Sequence, residues 1–536
     1  MSQLPKIHVC VMQPSGYVHS MGLLDPALYM HHQMQRLGVA ATIAKNRLMH
    51  DAVNIVFGAH LGFDPVLRSR YSCLFMNLEQ LGAGGAAVAP SYLALLRGSA
   101  VVDYDAANIK MYAADPLDVP LISFAYAPYL RASAEASLPL AERPIDVLFF
   151  GSMNERRRKL MEAVEAAGVS VTTFRSPVYG PERDAVIRQA KLVLNVHHYE
   201  ASRFEQVRAS QVLSLGTPML CERNPTTSPA AAFEDAVFWT SPEKIRDFFE
   251  TEFRTPGFYQ RAQAQLEAFA KTDPIEAYAD LVGFAAGLWQ VHSQRRSDRP
   301  WQPTQINIGS GKDYKLGWLN LDVLPKAQPD ALLDLGQALA FPFELNSHFV
   351  GPVRLAEGSV EQLYANNVLE HVPDLVTFMT QALTLLKTGG EFLIEVPYEH
   401  SPGAWQDPTH VRAMNEKSWA YYTDWFWYLG WVEHRFHIKQ FEYLDLKLAS
   451  CTRENAHFMR VCLVKAETTA AERMTARAMQ PDFGGLLEPI DPHAGLDWIV
   501  REQAETPEQP EQPEQPEQPE ARESATAEIS AATVAL

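Results

Sequence analysis

The sequence predicts an α/β chain built from three successive units, each with a parallel sheet. The main observation is that strand-length apolar runs alternate with segments of helical periodicity, and that this alternation starts again near residues 145 and 305. The length agrees, because 536 residues are enough for two or three domains at roughly 100–200 residues each. Hydrophobic residues make up 47% and charged residues 21% of the chain, which is typical of folded globular proteins.

The first unit is predicted over residues 1–140 and the second over residues 141–295. In the first, a helix at 23–38 is followed by further strands, and the predicted strands are KIHVCVMQ, VAATIA, NIVFGAH and SCLFMNLEQL. In the second, a helix at 156–168 lies among the strands IDVLFFGS, VSVTTF and KLVLNVHH. Strand, helix, strand in this order predicts a Rossmann-like parallel sheet. Residues 242–291 are expected to be mainly helical and to close the first half of the protein.

A polar linker at 296–303 precedes a third Rossmann-like unit, predicted over residues 304–466. Its strands are QINIGSG, WLNLDVL, EQLYANNVLEHV and GGEFLIEVPYE. In such units the ligand lies at the carboxyl ends of the strands. Residues 467–536 are predicted to be an extension that ends in a disordered acidic tail, because EQP repeats four times and the last 36 residues hold nine Glu and two Arg.

Charge and cysteine content exclude other classes of protein. The formal net charge is −18, so the phosphate attraction that drives nucleic-acid binding has no overall support. The five cysteines are scattered without a C-x-x-C pair, which predicts reduced thiols in a cytoplasmic protein. We find neither a signal-peptide core at the amino end nor an apolar stretch of the ~20 residues that a membrane span needs.

The third unit carries a glycine turn, Gly309-Ser310-Gly311, directly after its first strand. Without a Cβ, the backbone can approach a ligand closely there. Asp322 ends the next strand, where a carboxylate can accept both ribose hydroxyls of a nucleoside. Taken alone, such a turn is as often a packing feature as a binding loop.

Four segments of this unit, INIGSGKDYKLGWLNLDVLP, DALLDLGQALAFPF, VEQLYANNVLEHVPD and LLKTGGEFLIEVPY, resemble in order and spacing class I S-adenosylmethionine-dependent methyltransferases, especially those of polysaccharide biosynthesis. The resemblance covers about residues 304–465. It implies that S-adenosylmethionine is the cofactor and that its binding residues are Gly309, Ser310, Gly311, Asp322, Asp334, Leu335, Asn366 and Asn367. One departure is that Lys312, Asp313 and Tyr314 stand where many of these enzymes have a third glycine.

A sugar hydroxyl has a high pKa and would benefit from a base. The segment AWQDPTHVR offers His410 as the base, Asp407 to orient it, and Arg412 to hold an anionic acceptor. The alternative is that Asp407-Pro408-Thr409 is a capped turn. The aromatic run at 418–436 could stack on sugar faces, although core packing is expected for most of its rings.

A second alternative uses the same histidine. Glu370, His371 and His410 resemble the magnesium-binding cluster of small-RNA 2′-O-methyltransferases, but Asn367 stands where an acidic ligand is expected. A hard cation prefers oxygen ligands, so we expect no metal here.

The first half, about residues 5–245, resembles bacterial GT-B glycosyltransferases, in which two Rossmann-like domains face each other across a nucleotide-sugar cleft. The matching segments include NIVFGAH, CLFMNLEQL, DVLFFGSMNERR and VLSLGTPMLCE. The resemblance implies a nucleotide sugar as donor substrate. Its candidate contacts are strand-end, loop and helix-start residues, namely Gly151, Ser152, Arg156, Arg157, Glu205 and Arg208. Glu205 and Arg208 could instead only pair along the helix.

Two features of this half leave its chemistry open. Gln211 stands where retaining enzymes of this type often have a glutamate, five residues before Gly216. His19, in the loop QPSGYVHSMG, is a candidate base, although loop histidines are more often simple surface residues.

These observations predict a bifunctional enzyme that transfers a sugar from a nucleotide sugar and O-methylates a sugar hydroxyl of a glycan or glycolipid acceptor. A membrane-linked acceptor would bring the chain into peripheral contact with a membrane. One alternative is that only the methyltransferase is active and the first half is a degenerate glycan-binding module. Another is a non-catalytic scaffold that holds glycan enzymes through the EQP tail.

Overall fold

The computed structural model describes residues 4–82, 84–131, 138–199, 202–297 and 299–487. Within them the predicted fold class is confirmed: the chain is α/β, with three successive Rossmann-like sheets. The predicted EQP tail lies outside the described residues, and the bounds predicted for the units stay predictions. Among the described residues, no helix combines the length and apolar character needed to cross a membrane. Each of the five cysteines is a free thiol.

The first sheet is parallel, with strand order β2-β1-β3-β4-β5. Its central strands are buried along their whole length, because helices and loops cover both faces. The strands are β1 Ile7–Val11, β2 Ala41–Lys45, β3 Val53–Phe57, β4 Ser72–Asn77 and β5 Ala100–Asp103. The helices are α1 Leu24–Arg36, α2 Pro90–Arg97 and α3 Ala106–Ile109.

The second sheet repeats this order as β7-β6-β8-β9-β10, again parallel. Its strands are β6 Ile145–Phe149, β7 Val171–Thr173, β8 Ala190–Asn195, β9 Met219–Glu222 and β10 Phe238–Thr240. Its helices are α4 Glu155–Ala166, α5 Pro181–Ile187, α6 Gln206–Ser214 and α7 Ala231–Glu234.

The stretch after β10 is helical, as predicted, and leads back to the first sheet. It contains α8 Ile245–Thr251, α9 Pro256–Phe269 and α10 Ile275–Arg295. Tyr278 of α10 is fully buried, and its ring contacts that of Tyr29 at a centroid distance of 6.0 Å. The apolar core is therefore shared between the two sheets.

The third sheet has the order β13-β12-β11-β16-β17-β20-β18-β19. The strands β13, β12, β11, β16 and β17 are parallel, whereas β20, β18 and β19 are antiparallel to their neighbours. The parallel strands are β11 Gln305–Ile308, β12 Leu319–Asp322, β13 Ala331–Leu332, β16 Val360–Asn366 and β17 Leu386–Pro397. The antiparallel ones are β18 His434–Leu444, β19 Ser450–Cys451 and β20 Phe458–Glu467.

A separate antiparallel hairpin and three helices complete this unit. They are β14 Phe343–Ser347, β15 Gly351–Leu355, α11 Leu375–Leu385, α12 Gly403–Gln406 and α13 Ala470–Ala478. The chain places β12 and β13 on one side of β11, and β16 and β17 on the other. The strand order thus reverses between β11 and β16, which is where α/β sheets of this kind open a ligand crevice.

The third unit contacts the first through the loops on either side of β3. The main-chain N–H of His50 donates to the carbonyl of Phe349 at 2.8 Å. The guanidinium of Arg70 lies 3.5 Å from the ring centroid of Trp301, at the point where the linker enters the third unit. These contacts join the linker and the β14–β15 loop of the third unit to the first unit.

A buried ion pair joins the first and second units. Arg183 of α5 donates to Asp25 of α1 at 2.6 Å and to Asp184 at 2.7 Å, and Gln211 also donates to Asp184. Burial raises the pKa of Asp25, and the Arg183 guanidinium opposes this shift. The Arg183 charge therefore compensates two carboxylates that have little access to water.

Replacing Arg183 tests this role. Arg183→Leu leaves the Asp25 carboxylate buried without its cation, so we expect a loss of about 3–5 kcal/mol, measured as a lower temperature for the first calorimetric unfolding transition. Asp25→Asn added to this variant should recover part of the loss. The matched control is Arg158→Leu, which removes an exposed pair with Glu155 and should cost about 0.5 kcal/mol or less. Equal losses in Arg183→Leu and the control would contradict the role.

Candidate functional site

The glycine turn lies at the carboxyl end of β11, beside the ends of β12 and β16. Gly309 and Gly311 both have left-handed backbone, with φ of 63° and 47°, which favours glycine. The Ser310 N–H donates to the carbonyl of Leu321, and the Gly311 N–H donates to Asp322 Oδ2 at 2.8 Å. The predicted turn and the predicted strand-end carboxylate are therefore in direct contact.

Gly309 is also required by packing. A Cβ on Gly309 would lie 2.3 Å from Cγ2 of Val368, which follows β16. The side chain of Val368 occupies the space that the missing Cβ leaves. At Gly311, by contrast, the nearest atom to such a Cβ would be 3.8 Å away.

Asp322 is only 7% exposed, and each carboxylate oxygen accepts one main-chain N–H, from Gly311 and from Leu324. A carboxylate has about four acceptor positions, so each oxygen keeps one for a ligand hydroxyl. Ser310 is 2% exposed, and its Oγ has no hydrogen-bond partner among the described residues. An unpaired buried hydroxyl is costly unless a ligand satisfies it.

The other residues that the resemblance implies for the cofactor lie at the same edge of the sheet. Asp334 accepts the Gly336 N–H at 2.8 Å and shapes the loop after β13, whereas Leu335 is buried in the core. At the end of β16, Asn367 has a φ of 52° and its side chain donates to Asn366 Oδ1 at 2.8 Å.

Glu370, His371 and His410 come together beyond the end of β16. Their nearest nitrogen and carboxylate oxygen atoms all lie within 4.8 Å of one another. The Val411 N–H donates to the Glu370 carbonyl at 2.8 Å and ties the two loops together. Glu370 is 1% exposed, and this burial raises the pKa of its carboxyl group to about 7.

Asp407 does not orient His410 as predicted. His410 Nδ1 lies 2.8 Å from the carbonyl of Ala404, while Asp407 accepts the N–H and the hydroxyl of Thr409. These hydrogen bonds lower the pKa of Asp407, and they are those of the capped-turn alternative. The Thr409 hydroxyl lies 3.0 Å from His371 Nδ1, so Asp407 is connected to His371 instead. Arg412 is half-buried and donates to the carbonyl of Pro373.

A cleft of about 630 Å³ opens between the first sheet and the glycine turn. One wall is formed by residues 12–18 after β1, with Lys45 at the end of β2 and Asn46 next to it. The other wall is formed by residues 312–314 and 316. Lys45 and Lys312 are both exposed, so the cleft carries positive charge from both units. Sequence reasoning missed Lys45 and Asn46, because only the packing of two units brings them to the third.

In the second unit the predicted nucleotide-sugar residues lie close together. The guanidinium nitrogens of Arg157 and Arg208 lie within 3.3 Å of the position that a Cβ on Gly151 would take. Arg208 also pairs with Glu205 at 2.8 Å and donates to Asn195. The i, i+3 pairing that the sequence left as an alternative is therefore present.

The two arginines assigned to a diphosphate are engaged by the protein. Arg156 donates to both carboxylate oxygens of the buried Glu222. Arg157 is 2% exposed and donates to the carbonyls of Val196 and Ser152. Both guanidinium groups are therefore held by groups of the protein, and their contact with a diphosphate stays a prediction. The missed partner is Glu222, an acidic residue at the end of a strand that follows the G-x-P turn.

His19 lies between the first two units. It is exposed, and its Nδ1 is 3.0 Å from the hydroxyl of Tyr179. The loop that carries His19 therefore faces the second unit. His19 remains a candidate base, and its partner Tyr179 is half-buried. Gln211 stands where retaining enzymes of this type often have a glutamate. Its side chain is buried and donates a hydrogen bond to Asp184.

The aromatic run contains buried rings, exposed rings and the half-buried Trp427. The buried rings belong to Trp419, Tyr422, Phe426, Trp431 and Phe436. Three others are exposed and contact one another edge to face: Tyr421, Trp425 and Tyr428.

Comparisons with known proteins give limited similarity. No family model matches the chain. "Uncharacterized protein L140" of Acanthamoeba polyphaga mimivirus is 26% identical over 157 residues, 27% of this chain and 49% of that protein. "Uncharacterized protein L137" of the same virus is 24% identical over 170 residues, 30% of this chain and 21% of that protein. The chain thus spans half or less of the length of these relatives.

Two solved structures match parts of the chain with low scores. Anabaena Alr3699/HepE, crystallised with UDP and glucose, matches 52% of this chain and 98% of that one, at 11% identity and a TM-score of 0.36. A SAM-dependent methyltransferase from Archaeoglobus fulgidus matches 31% of this chain and 86% of that one, at 13% identity and a TM-score of 0.21. These values are too low to bear on activity.

The different surroundings of the two turn glycines give a test of the packing. Alanine at either position carries the left-handed strain, about 1–2 kcal/mol. Gly309→Ala should cost about 1–3 kcal/mol more, because only there does the Cβ meet Val368. The measurement is the unfolding temperature of both variants, and Val368→Ala should reduce the cost of Gly309→Ala. If Gly309→Ala and Gly311→Ala are equally stable, Val368 is not packed as described.

Proposed function

We propose that the third unit is an S-adenosylmethionine-dependent methyltransferase that methylates a sugar hydroxyl, and that the first two units act on the same glycan by transferring a sugar from a nucleotide sugar. The observation that supports this most directly is the hydrogen bond between the glycine turn and Asp322, at the point where the strand order reverses. The loops on either side of this point border a crevice, and a sheet of this kind binds a nucleoside in such a crevice.

The residues present fit the cofactor. Asp322 retains acceptor capacity for the two ribose hydroxyls, and the Ser310 hydroxyl is buried without a partner. We assign Gly309 and Gly311 to the methionine part, Asp334 and Leu335 to the adenine, and Asn366 and Asn367 to closing the site. When bound, S-adenosylmethionine supplies a methyl group on a sulfonium leaving group, so the protein mainly aligns the acceptor and handles its proton.

The acceptor hydroxyl would reach the methyl group from the side of Glu370, His371 and His410. His410 is suited to accept a proton because a carbonyl accepts its Nδ1–H, which leaves Nε2 with a free lone pair. Arg412 lies on the same loop and supplies positive charge. The exposed rings of Tyr421, Trp425 and Tyr428 follow this loop and offer surfaces on which sugar faces can stack.

The cleft between the first and third units supports a shared substrate. Its walls come from the strand ends of the first sheet and from the residues that follow the glycine turn. Lys45 and Lys312 favour an anionic acceptor, such as a glycan that carries a phosphate or carboxylate. A glycan bound in this cleft would be close to both halves, so transfer and methylation could follow each other on one molecule.

The contacts in the second unit favour a second candidate for the first half. Arg156 and Arg157 are held by Glu222 and by carbonyls, and Gln211 is bonded to Asp184. In this version the first half binds glycans without transferring sugars, and only the methyltransferase is active.

Cofactor binding is tested on the full chain by titration with S-adenosylhomocysteine. Asp322→Ala should weaken binding at least 10-fold, because two hydrogen bonds to a charged acceptor are lost at about 1.5–3 kcal/mol each. The control is Asp313→Ala, a nearby exposed carboxylate paired with Lys315, which should bind as the wild type does. Wild-type protein that binds no S-adenosylhomocysteine, or equal affinities in both variants, would contradict the assignment.

The nucleotide-sugar role is tested by thermal shift and turnover with a set of nucleotide sugars. A true donor should raise the unfolding temperature by mass action and be consumed, and Arg208→Leu should abolish both effects. Arg223→Leu serves as the control, because Arg223 forms an exposed pair with Glu234. If no nucleotide sugar stabilises the wild type, transfer by the first half is contradicted and the binding-module candidate is favoured.

A further inference from the structure

Glu370, His371 and His410 form a cluster, and proton transfer by His410 would use only one of its three side chains. It presents two imidazoles and one carboxylate, with one ligand atom of each within 4.8 Å of the others. Two histidines and a carboxylate on one face form a recurrent binding set for divalent transition metals, with positions left open for water or substrate.

Hydrogen bonds orient both histidines for this role. His410 Nδ1 lies 2.8 Å from the Ala404 carbonyl, which can only accept, so Nδ1 carries the proton and Nε2 is free. His371 Nδ1 lies 3.0 Å from the Thr409 hydroxyl and 3.3 Å from the Thr409 carbonyl. The Thr409 hydroxyl itself donates to Asp407 at 2.6 Å, so it accepts from His371 and leaves that Nε2 free too. Metal-bound histidines are held in this way.

The carboxylate supplies an independent observation. Glu370 is 1% exposed, and neither carboxylate oxygen has a hydrogen-bond partner from another residue in the described part of the chain. A buried carboxylate without partners is costly, and a bound cation would remove that cost.

We propose that Glu370, His371 and His410 bind one divalent first-row transition-metal ion at the carboxyl edge of the third sheet. Nitrogen donors select such an ion over Mg²⁺, which prefers oxygen. Asp407 and Thr409 are then positioning residues that act on His371. Metal binding itself does not depend on the proposed function. Its use does: a coordinated sugar hydroxyl would have a lower pKa, and His410 would act as a ligand and not as the base.

The test uses Co²⁺ as the probe, added to untagged full-length protein after treatment with a chelator. Visible absorption and calorimetry should show one bound Co²⁺ per chain. His371→Ala, His410→Ala and Glu370→Gln should each weaken binding at least 10-fold. Thr409→Val should weaken it about 10-fold, because the hydroxyl that accepts from His371 Nδ1 is lost. The control is His437→Ala, an exposed histidine on β18, which should bind as the wild type does.

Several outcomes would overturn the proposal: no bound Co²⁺, affinity that none of these substitutions changes, or binding of Mg²⁺ in preference to Co²⁺. Because Glu370 is buried, the folding of Glu370→Gln is checked by its unfolding temperature, and the histidine variants keep the test decisive if it fails to fold. Titration with S-adenosylhomocysteine is run on the same variants. A variant that loses Co²⁺ but still binds S-adenosylhomocysteine has lost the metal site alone. Failure of the wild type to bind S-adenosylhomocysteine would instead count against the proposed function.

Discussion

The reversal of strand order between β11 and β16 is the constraint on which the candidate site depends. Parallel strands end at one edge of a sheet, and at a reversal the loops on either side turn away from each other and leave a crevice. Here the chain leaves β11 through the glycine turn and leaves β16 through Asn367 and Val368. The Asp322 carboxylate holds the first of these loops by accepting the N–H groups of Gly311 and Leu324. One carboxylate thus shapes the loop and faces the crevice.

The strands β1 to β4, β6 to β8, β11, β12, β16 and β17 could be predicted, because buried parallel strands are continuous apolar runs that end in polar or glycine-containing turns. The glycine turn and Asp322 were predicted for the same reason: each directly follows such a run. The antiparallel strands β18 and β20 were not identified from the sequence. Their mutual pairing is local, since Leu444 pairs with Phe458, but β20 also pairs with β17, where Glu391 lies opposite Val464.

Side-chain partners were much harder to predict than strand ends. Asp407 and His410 are three residues apart, yet the turn at Pro408 directs the carboxylate to Thr409 and onward to His371. Arg156 and Arg157 were predicted to contact a diphosphate, but nothing in the sequence indicated that they also bind Glu222 and the Val196 carbonyl. In both cases a nearby group of the protein competes for the hydrogen bonds, and sequence spacing does not reveal which partner is nearer. The cleft lined by Lys45 and Lys312 is a property of two packed units and has no signal within either.

The central claim is that a nucleoside binds where the third sheet reverses its strand order. The most direct measurement is a crystal structure of the full chain with S-adenosylhomocysteine. We expect the adenosine at the carboxyl ends of β11 and β12, with its ribose hydroxyls on the Asp322 carboxylate and its amino-acid part along the glycine turn. A crevice closed by Val368 with no nucleoside in it, or a nucleoside bound elsewhere on the chain, would contradict the account.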